Sequence, residues 1–331
     1  MDSRSRRNRL LSWLLPLLAA LALPWLVRSN QYNLILLTTV ILYGALATAW
    51  NIIGGMAGQF DLAAGAYLGL GAYTAGTLLL RWNITPWLGM IAGGIVAVCF
   101  AVLVGYPLFR FKVREVWYAL SSAALVPVLR TVFLMWENVG GPTERYLPFH
   151  QFSLYHMRFG SYIPFYYIML IFLASALLAN AWIRSRKLGY QLLALGDNED
   201  AAEVLGVDAR TCKLKALMIY AFIVGAVGGV YACLYGFLHP NFFSSSLSLE
   251  VSILGIVGGL GITYGPLLAS ILLVSARELL RASLGGQLES LYLGIYSIVL
   301  ILIALFRPQG IASFIRVLAA RIRSRPSRNR V

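Results

Sequence analysis

The sequence predicts an all-α fold, a polytopic transmembrane helical bundle of about eight to ten spans, and three observations predict it. The 331 residues are 59% hydrophobic and only 12% charged, against roughly 25% charged in an ordinary soluble domain. The charges are clustered, which leaves uncharged runs at 10–27, 29–60, 62–80, 82–109, 159–183, 216–249, 251–276 and 290–306. A hydrocarbon core of about 30 Å takes about 20 helical residues at 1.5 Å each, so nearly every run is long enough to cross, and the longest have room for a re-entrant bend. The runs also lack the apolar-polar alternation of a barrel, the only other architecture that satisfies its backbone in lipid.

A net charge of +14 raises the question of nucleic acid. The basic residues stand beside the apolar runs, however, and membrane topology explains them without a nucleic-acid partner. They gather at Arg4, Arg6, Arg7 and Arg9, at Arg110, Lys112 and Arg114, from Arg184 to Lys215, and from Arg316 to Arg330. The positive-inside rule puts all four groups in the cytoplasm. Both termini are then inside and the number of spans is even: ten fit the runs, or eight if one run is re-entrant and another lies in the interface. The chain divides into a basic N-terminus at 1–9, a transmembrane domain at 10–306 with a cytoplasmic loop at 184–215, and a basic tail at 307–331. Leu10 to Val27 follows four arginines and contains Ala20-Leu21-Ala22, a weak cleavage match. The chain after it would begin with another apolar run, so a first span suits it better than a signal peptide.

The sequence carries no set of residues for catalysis. The dipeptide Gly-Lys of a phosphate-cradling loop does not occur, and no nucleophile elbow is present. His150, His156 and His239 are too scattered for a zinc set, and Cys99, Cys212 and Cys233 lack metal-ligand or redox spacing. No cofactor or metal is expected. Gly65 with Gly69, Gly225 with Gly229, and Gly255 with Gly259 make small faces for close helix packing. Trp50, Trp82, Trp87, Trp117, Trp136 and Trp182 fall near run ends, as an aromatic belt does.

The loop at 184–215 holds a short helix. Asp197 and Asn198 offer cap oxygens, Glu199 and Asp200 suit the positive end of a helix dipole, and Gly206 offers a stop. Ala201, Val204 and Leu205 fall at i, i+3 and i+4, giving one apolar face beside the wet Glu199, Asp200 and Glu203. A helix this short is marginal in water and must dock. Packing under its own bundle and insertion into a partner's groove bury the same stripe, so both remain open.

The stretch Gly196-Asp197-Asn198-Glu199-Asp200-Ala201-Ala202-Glu203-Val204-Leu205-Gly206-Val207 resembles the cytoplasmic loop of LivM-type permease subunits of branched-chain amino acid ABC transporters. Four further stretches are similar to family motifs and occur in the family's order: Asn51 to Tyr73 with Gly58-Gln59, Lys213 to Gly236, Pro240 to Pro266 with Glu250 and Gly258-Gly259-Leu260-Gly261, and Leu305-Phe306-Arg307-Pro308-Gln309-Gly310. Asp61-Leu62-Ala63-Ala64 departs from the common Ser-Leu-Gly-His, Val139 stands where a Thr often precedes the glycine pair, and Leu193 to Asp197 lacks a common arginine.

The resemblance implies a permease subunit of an ABC importer in a bacterial or archaeal cytoplasmic membrane. It implies a second, LivH-like permease, two ATPase subunits and a periplasmic or extracellular substrate-binding protein as partners. It makes Glu199, Asp200, Ala201, Ala202, Val204, Leu205 and Gly206 the ATPase-coupling residues, and a branched-chain or related amino acid the solute. A urea or short-chain amide importer shares these motifs. An ion-coupled secondary transporter would leave the docking loop unexplained, and a membrane enzyme has no nucleophile-base set. Ionisable groups at membrane depth are costly and often functional. Asp61, Arg130 and Glu250, with Gln59, Gly258, Gly259 and Gly261, are the candidates for the translocation path. Snorkelling or a structural ion pair is the alternative role for each charge.

Overall fold

The computed structural model describes residues 20–28, 30–113, 115–148, 153–284, 294, 297–298 and 310–313. Both basic termini, most of the first and last apolar runs, His150 and the motif from Leu305 to Gln309 lie outside the described residues. Within them the chain is helical: α1 is Gln31–Trp50, continued by a π-helical turn at Asn51–Met56, α2 is Ala64–Trp82, α3 is Pro86–Arg110 and α4 is Glu115–Met135. After them come α5 at Ile163–Arg184, α6 at Lys187–Asp197, α7 at Glu199–Val204, α8 at Ala209–Tyr235 and α9 at Ser245–Gly258. Beyond them α10, Gly265–Ala269, is joined by a π-helical turn at Ser270–Val274 to α11, Ser275–Leu284.

Six stretches among the described residues are long and apolar enough to cross a membrane: Gln31–Met56, Pro86–Arg110, Val116–Met135, Ile163–Arg184, Ala209–Tyr235 and Pro240–Gly258. The glycine-rich α2 is less hydropathic because it is the central helix, buried along most of its length between α3, α8 and α9. Glycine lets these backbones touch: a Cβ on Gly71 would lie 1.8 Å from the Gly225 carbonyl oxygen, and one on Gly228 2.1 Å from that of Leu68. The first run is helical over 20–26, where the Tyr166 and Tyr167 hydroxyls of α5 donate to the carbonyls of Ala20 and Leu21.

The helix ends sort into two groups. At one end the carboxyl ends of α3 and α5 meet α6, α7 and the start of α8, and this end carries Arg110, Lys112 and the cations from Arg184 to Lys215. At the opposite end the 137–148 segment meets the link between α8 and α9 through a two-stranded antiparallel sheet, β1 at Arg145–Tyr146 with β2 at Phe237–Leu238.

Two apolar runs are broken where hydropathy gives no sign. The run 216–249 does not continue as one helix: α8 stops at Tyr235, with Gly236 left-handed at φ 77°, and α9 starts at Ser245. The run 251–276 is interrupted between Gly258 and Gly265, where Gly259 and Gly261 have φ of 112° and 70°. Hydropathy reports whether a segment tolerates lipid. It does not report where side chains remote in sequence replace the helix's own hydrogen bonds.

Candidate functional site

Four polar sites interrupt the bundle. The first is the break at 57–63 between the π-helical turn and α2, non-helical backbone that must be satisfied inside protein. The Trp50 indole donates to the Asp61 carbonyl at 2.7 Å, and Ser252 Oγ donates to the same oxygen at 3.2 Å. Leu62 N donates to Ser122 Oγ at 2.9 Å, and Gly65 N to Ser248 Oγ at 2.8 Å. The Asp61 carboxylate is fully buried, accepting from Ala63 N at 2.9 Å, from the Tyr118 hydroxyl at 3.0 Å and from that of Tyr67 at 3.4 Å. Asp61 therefore pins the break to α2 and α4. Gln59 is also buried, and its amide nitrogen makes no hydrogen bond among the described residues.

The second is the break after α9, which Asn51 and Asn180 hold. Asn51 Oδ1 accepts from Gly261 N at 3.0 Å, while its Nδ2 donates at 3.3 Å to both the Ile262 carbonyl and Asn180 Oδ1. Asn180 Nδ2 donates to the Thr48 carbonyl at 2.7 Å, and Arg184 donates to that of Gly261. Gly258 and Gly310 are glycines here for space: a Cβ on Gly258 would lie 2.4 Å from the backbone of Gly265, and one on Gly310 2.4 Å from the Gly259 Cα.

The third is an open recess, about 350 Å³ in volume, lined by Pro127, Arg130, Asn241, Phe243 and Ser244 to Ser246. Its depth follows from contacts along α2. Cβ atoms built on Gly76, Gly69 and Gly65 would meet Leu238, Phe243 and Ser244 in turn, so the chain from β2, through a 3-10 turn at Pro240–Phe242, runs antiparallel to α2 and enters the bundle. The amino end of α9 therefore lies beside that of α2, next to Leu62. Leu62 is fixed to Ser122, seven residues into α4, about 10 Å from its start. Helix α9 is thus a half-helix of 14 residues, about 21 Å long, beginning inside the bundle with Ser244 Oγ capping Leu247 N. Arg130 donates to Asn241 Oδ1 at 2.7 Å, and His239 Nδ1 accepts from Asn241 N at 3.1 Å. A guanidinium, three serines and the positive end of a helix dipole face one cavity, a set of donors that fits a carboxylate.

Glu250 lies one and a half turns into α9. It pairs with Arg277 of α11, which also bonds Glu278 at 2.8 Å and lies 4.9 Å from the centre of the Tyr43 ring. This network gives Glu250 a structural partner that the sequence reading did not name.

The fourth is the short helix at the basic end. Asn198 Oδ1 accepts from Ala201 N at 3.0 Å, so of the two candidate caps Asn198 closes α7 while Asp197 ends α6. At its other end Gly206 has φ 88°, Gly206 N donates to the Glu203 carbonyl at 2.9 Å and Val207 N to that of Ala202 at 3.0 Å. These two bonds make a Schellman motif, with the stop at Gly206 as the sequence predicts. Ala202 is buried, Ala201 is exposed, and Val204 and Leu205 are 87% and 84% exposed, the most open large apolar side chains among the described residues. The acidic side faces inward: Glu199 meets Lys213 at 2.8 Å and Glu203 meets Lys112 at 2.7 Å. A dipole role for Glu199 is thus joined by an ion pair within the chain. Asp208 caps α8, its carboxylate accepting from Thr211 N at 3.2 Å and from the Thr211 hydroxyl at 2.6 Å, and these bonds hold it below the usual aspartate range.

Helix α3 also ends in a Schellman motif, with Lys112 N on the Phe109 carbonyl and Val113 N on that of Leu108. Lys112 occupies its left-handed position at φ 54°, which costs a residue with a Cβ roughly 1–2 kcal/mol. Lys112, Lys213, Asn51, Asn180 and Arg277 are the site residues that sequence reading missed. The asparagines were legible only as polar residues inside apolar runs, and the two lysines were read as topology signals.

A helical membrane bundle with broken helices, an open polar recess and a short amphipathic helix at its basic end is the architecture of a permease. Residues 32–304 match the family described as branched-chain amino acid transport system / permease component, and the chain belongs to that family. It is similar to the high-affinity branched-chain amino acid transport system permease protein LivM of Escherichia coli (strain K12), 28% identical with 91% of this chain and 74% of that protein covered. It is 25% identical to the protein of the same name from Salmonella typhimurium over the same shares. The autoinducer 2 import system permease protein LsrC of Klebsiella pneumoniae subsp. pneumoniae is 29% identical over 44% of this chain and 40% of its own length. No solved structure matches the chain. The relatives are named as permeases, and the chain is a permease component of an ABC transporter, not an enzyme.

Proposed function

We propose that this permease imports a branched-chain or related amino acid, driven by separate ATPase subunits that dock on α7. The solute passes the recess between α4 and α9, where Arg130 and the amino end of α9 receive its carboxylate. The observation that supports this reading is the meeting of Arg130 with the amino end of a half-helix inside the bundle, an arrangement suited to an anionic group in a membrane transporter. A urea or amide solute has no charge for the guanidinium. The names of the LivM relatives point to the same solute class, while that of LsrC marks another solute within the similarity range.

The outward face of α7 supports the coupling role. Val204 and Leu205 point away from their own bundle, so the stripe suits a partner's groove. On this reading the basic end is cytoplasmic, both termini are inside, a second permease of the LivH type completes the pathway, and a binding protein delivers solute from outside. Gln59, Asp61, Gly258, Gly259 and Gly261 shape the breaks that border the path.

The test is ATP-driven uptake of labelled leucine by the assembled complex in proteoliposomes. Leucine and isoleucine compete while leucinamide and urea do not, and Arg130→Gln lowers uptake at least tenfold with assembly intact. Equal competition by leucinamide, or parental uptake by Arg130→Gln, overturns the assignment of the recess.

A further inference from the structure

Helix α7 is tied to two different parts of the membrane bundle, and we propose that these ties make Lys112 and Lys213 positioning residues that carry the movement of α7 into α4 and α8. The inference rests on the coupling reading and adds the route by which movement enters the bundle. Glu199 and Glu203 are four residues apart, so one face of α7 presents both carboxylates. Glu199 reaches Lys213 on α8 at 2.8 Å, and Glu203 reaches Lys112 in the turn between α3 and α4 at 2.7 Å. A cleft of about 310 Å³ lies between these elements and is bordered by all four residues.

The two joints differ in kind. The Lys213 side chain is 5% exposed, so its ammonium depends on Glu199 for compensation and the joint is fixed. The Lys112 side chain is 60% exposed, and water screens its pair with Glu203. That pair adds little to stability and is free to open and close. A left-handed turn position ordinarily holds glycine; what Lys112 supplies there and glycine does not is an ammonium on Glu203.

Each joint leads to the proposed path. Helix α4 begins three residues after Lys112 and carries Arg130. Helix α8 packs along α2 and α3 at the centre of the bundle. A close-packed interior transmits displacement, so a shift of α7 moves the foot of α4 through Lys112 and that of α8 through Lys213, and the recess between α4 and α9 changes width.

The test compares Glu203→Lys, Lys112→Glu and the charge-swapped double variant in the complete complex in proteoliposomes, reading the ratio of solute-stimulated to basal ATP hydrolysis. Each single variant is expected to lower the ratio at least threefold without changing the thermal stability of the complex, and the swap to restore it to within twofold. Singles that match the parent, or a swap no better than either single, overturn the tie through Lys112. Lys213→Met with Glu199→Gln removes the other pair without leaving a buried charge; an unchanged ratio there overturns the role of Lys213. Val204→Asp with Leu205→Asp reports separately on the coupling reading. If that pair leaves the ratio unchanged, the coupling reading fails; if it abolishes stimulation while the charge variants match the parent, only the ties are wrong.

Discussion

Replacing Gly206 isolates the contribution of the turn that ends α7. A Cβ built at Gly206 meets nothing within 4 Å, so substitution there adds no clash with the rest of the protein. What it adds is the strain of a side chain at φ 88°, roughly 1–2 kcal/mol for alanine and more for a β-branched residue. That strain acts on two hydrogen bonds, Gly206 N to the Glu203 carbonyl and Val207 N to the Ala202 carbonyl, which fix the direction of Val204 and Leu205. A helix of six residues has little other reserve. Because about 1.4 kcal/mol is a factor of ten, Gly206→Ala is expected to weaken ATPase binding about tenfold. Gly206→Val should weaken it further, while Gly206→Asn, which tolerates the left-handed region, stays near the parent. The assay is ATPase affinity for the permease in detergent or nanodiscs. Valine binding as well as glycine, or asparagine as badly as valine, would refute the argument that the turn's conformation sets the docking face.

Asp208→Ala should cost about 1 kcal/mol by removing the cap of α8, measured as a lower midpoint in thermal unfolding, with Asp208→Asn retaining most of the cap. Because Thr211 holds the folded carboxyl below its ordinary value near 4, its stabilisation is present above that value and is lost as pH falls through the lowered one. Asp208→Asn should remove that acid dependence. Gly71→Leu should destabilise the bundle by about 3 kcal/mol or more, because its Cβ would enter the space of the Gly225 backbone; parental expression and melting would count against the α2–α8 crossing. A cysteine at the exposed Ser185 should react with a membrane-impermeant reagent only after cells are opened, and labelling of intact cells would reverse the orientation.

The helices were legible in the sequence because composition and run length report on lipid compatibility, and α3 and α5 follow their runs closely. The cap and stop of α7 were legible because Asn198 and Gly206 act on backbone within a few residues. Which way α7 faces was not, since Val204 and Leu205 read the same whether they dock inward or outward; the pairing of Glu199 and Glu203 with Lys213 and Lys112 decides it. The breaks at 57–63 and 259–264 were legible only as glycine-rich stretches. The groups that hold them, Ser122, Asn180 and Ser252, lie tens to hundreds of residues away, and that pairing has no local signature. Arg130 and Glu250 were visible as charges in apolar runs, but only the fold separates Arg130 in an open recess from Glu250 in an ion pair.

Reconstitution tests the central claim most directly: labelled leucine uptake into proteoliposomes that contain this chain with its ATPase subunits and second permease, with binding protein and solute on one face and ATP on the other. Uptake that requires ATP, and that fails when Val204 and Leu205 are both replaced by aspartate while the permease remains folded, is the result expected. Uptake by this chain alone, driven by an ion gradient without ATP or ATPase subunits, would contradict it.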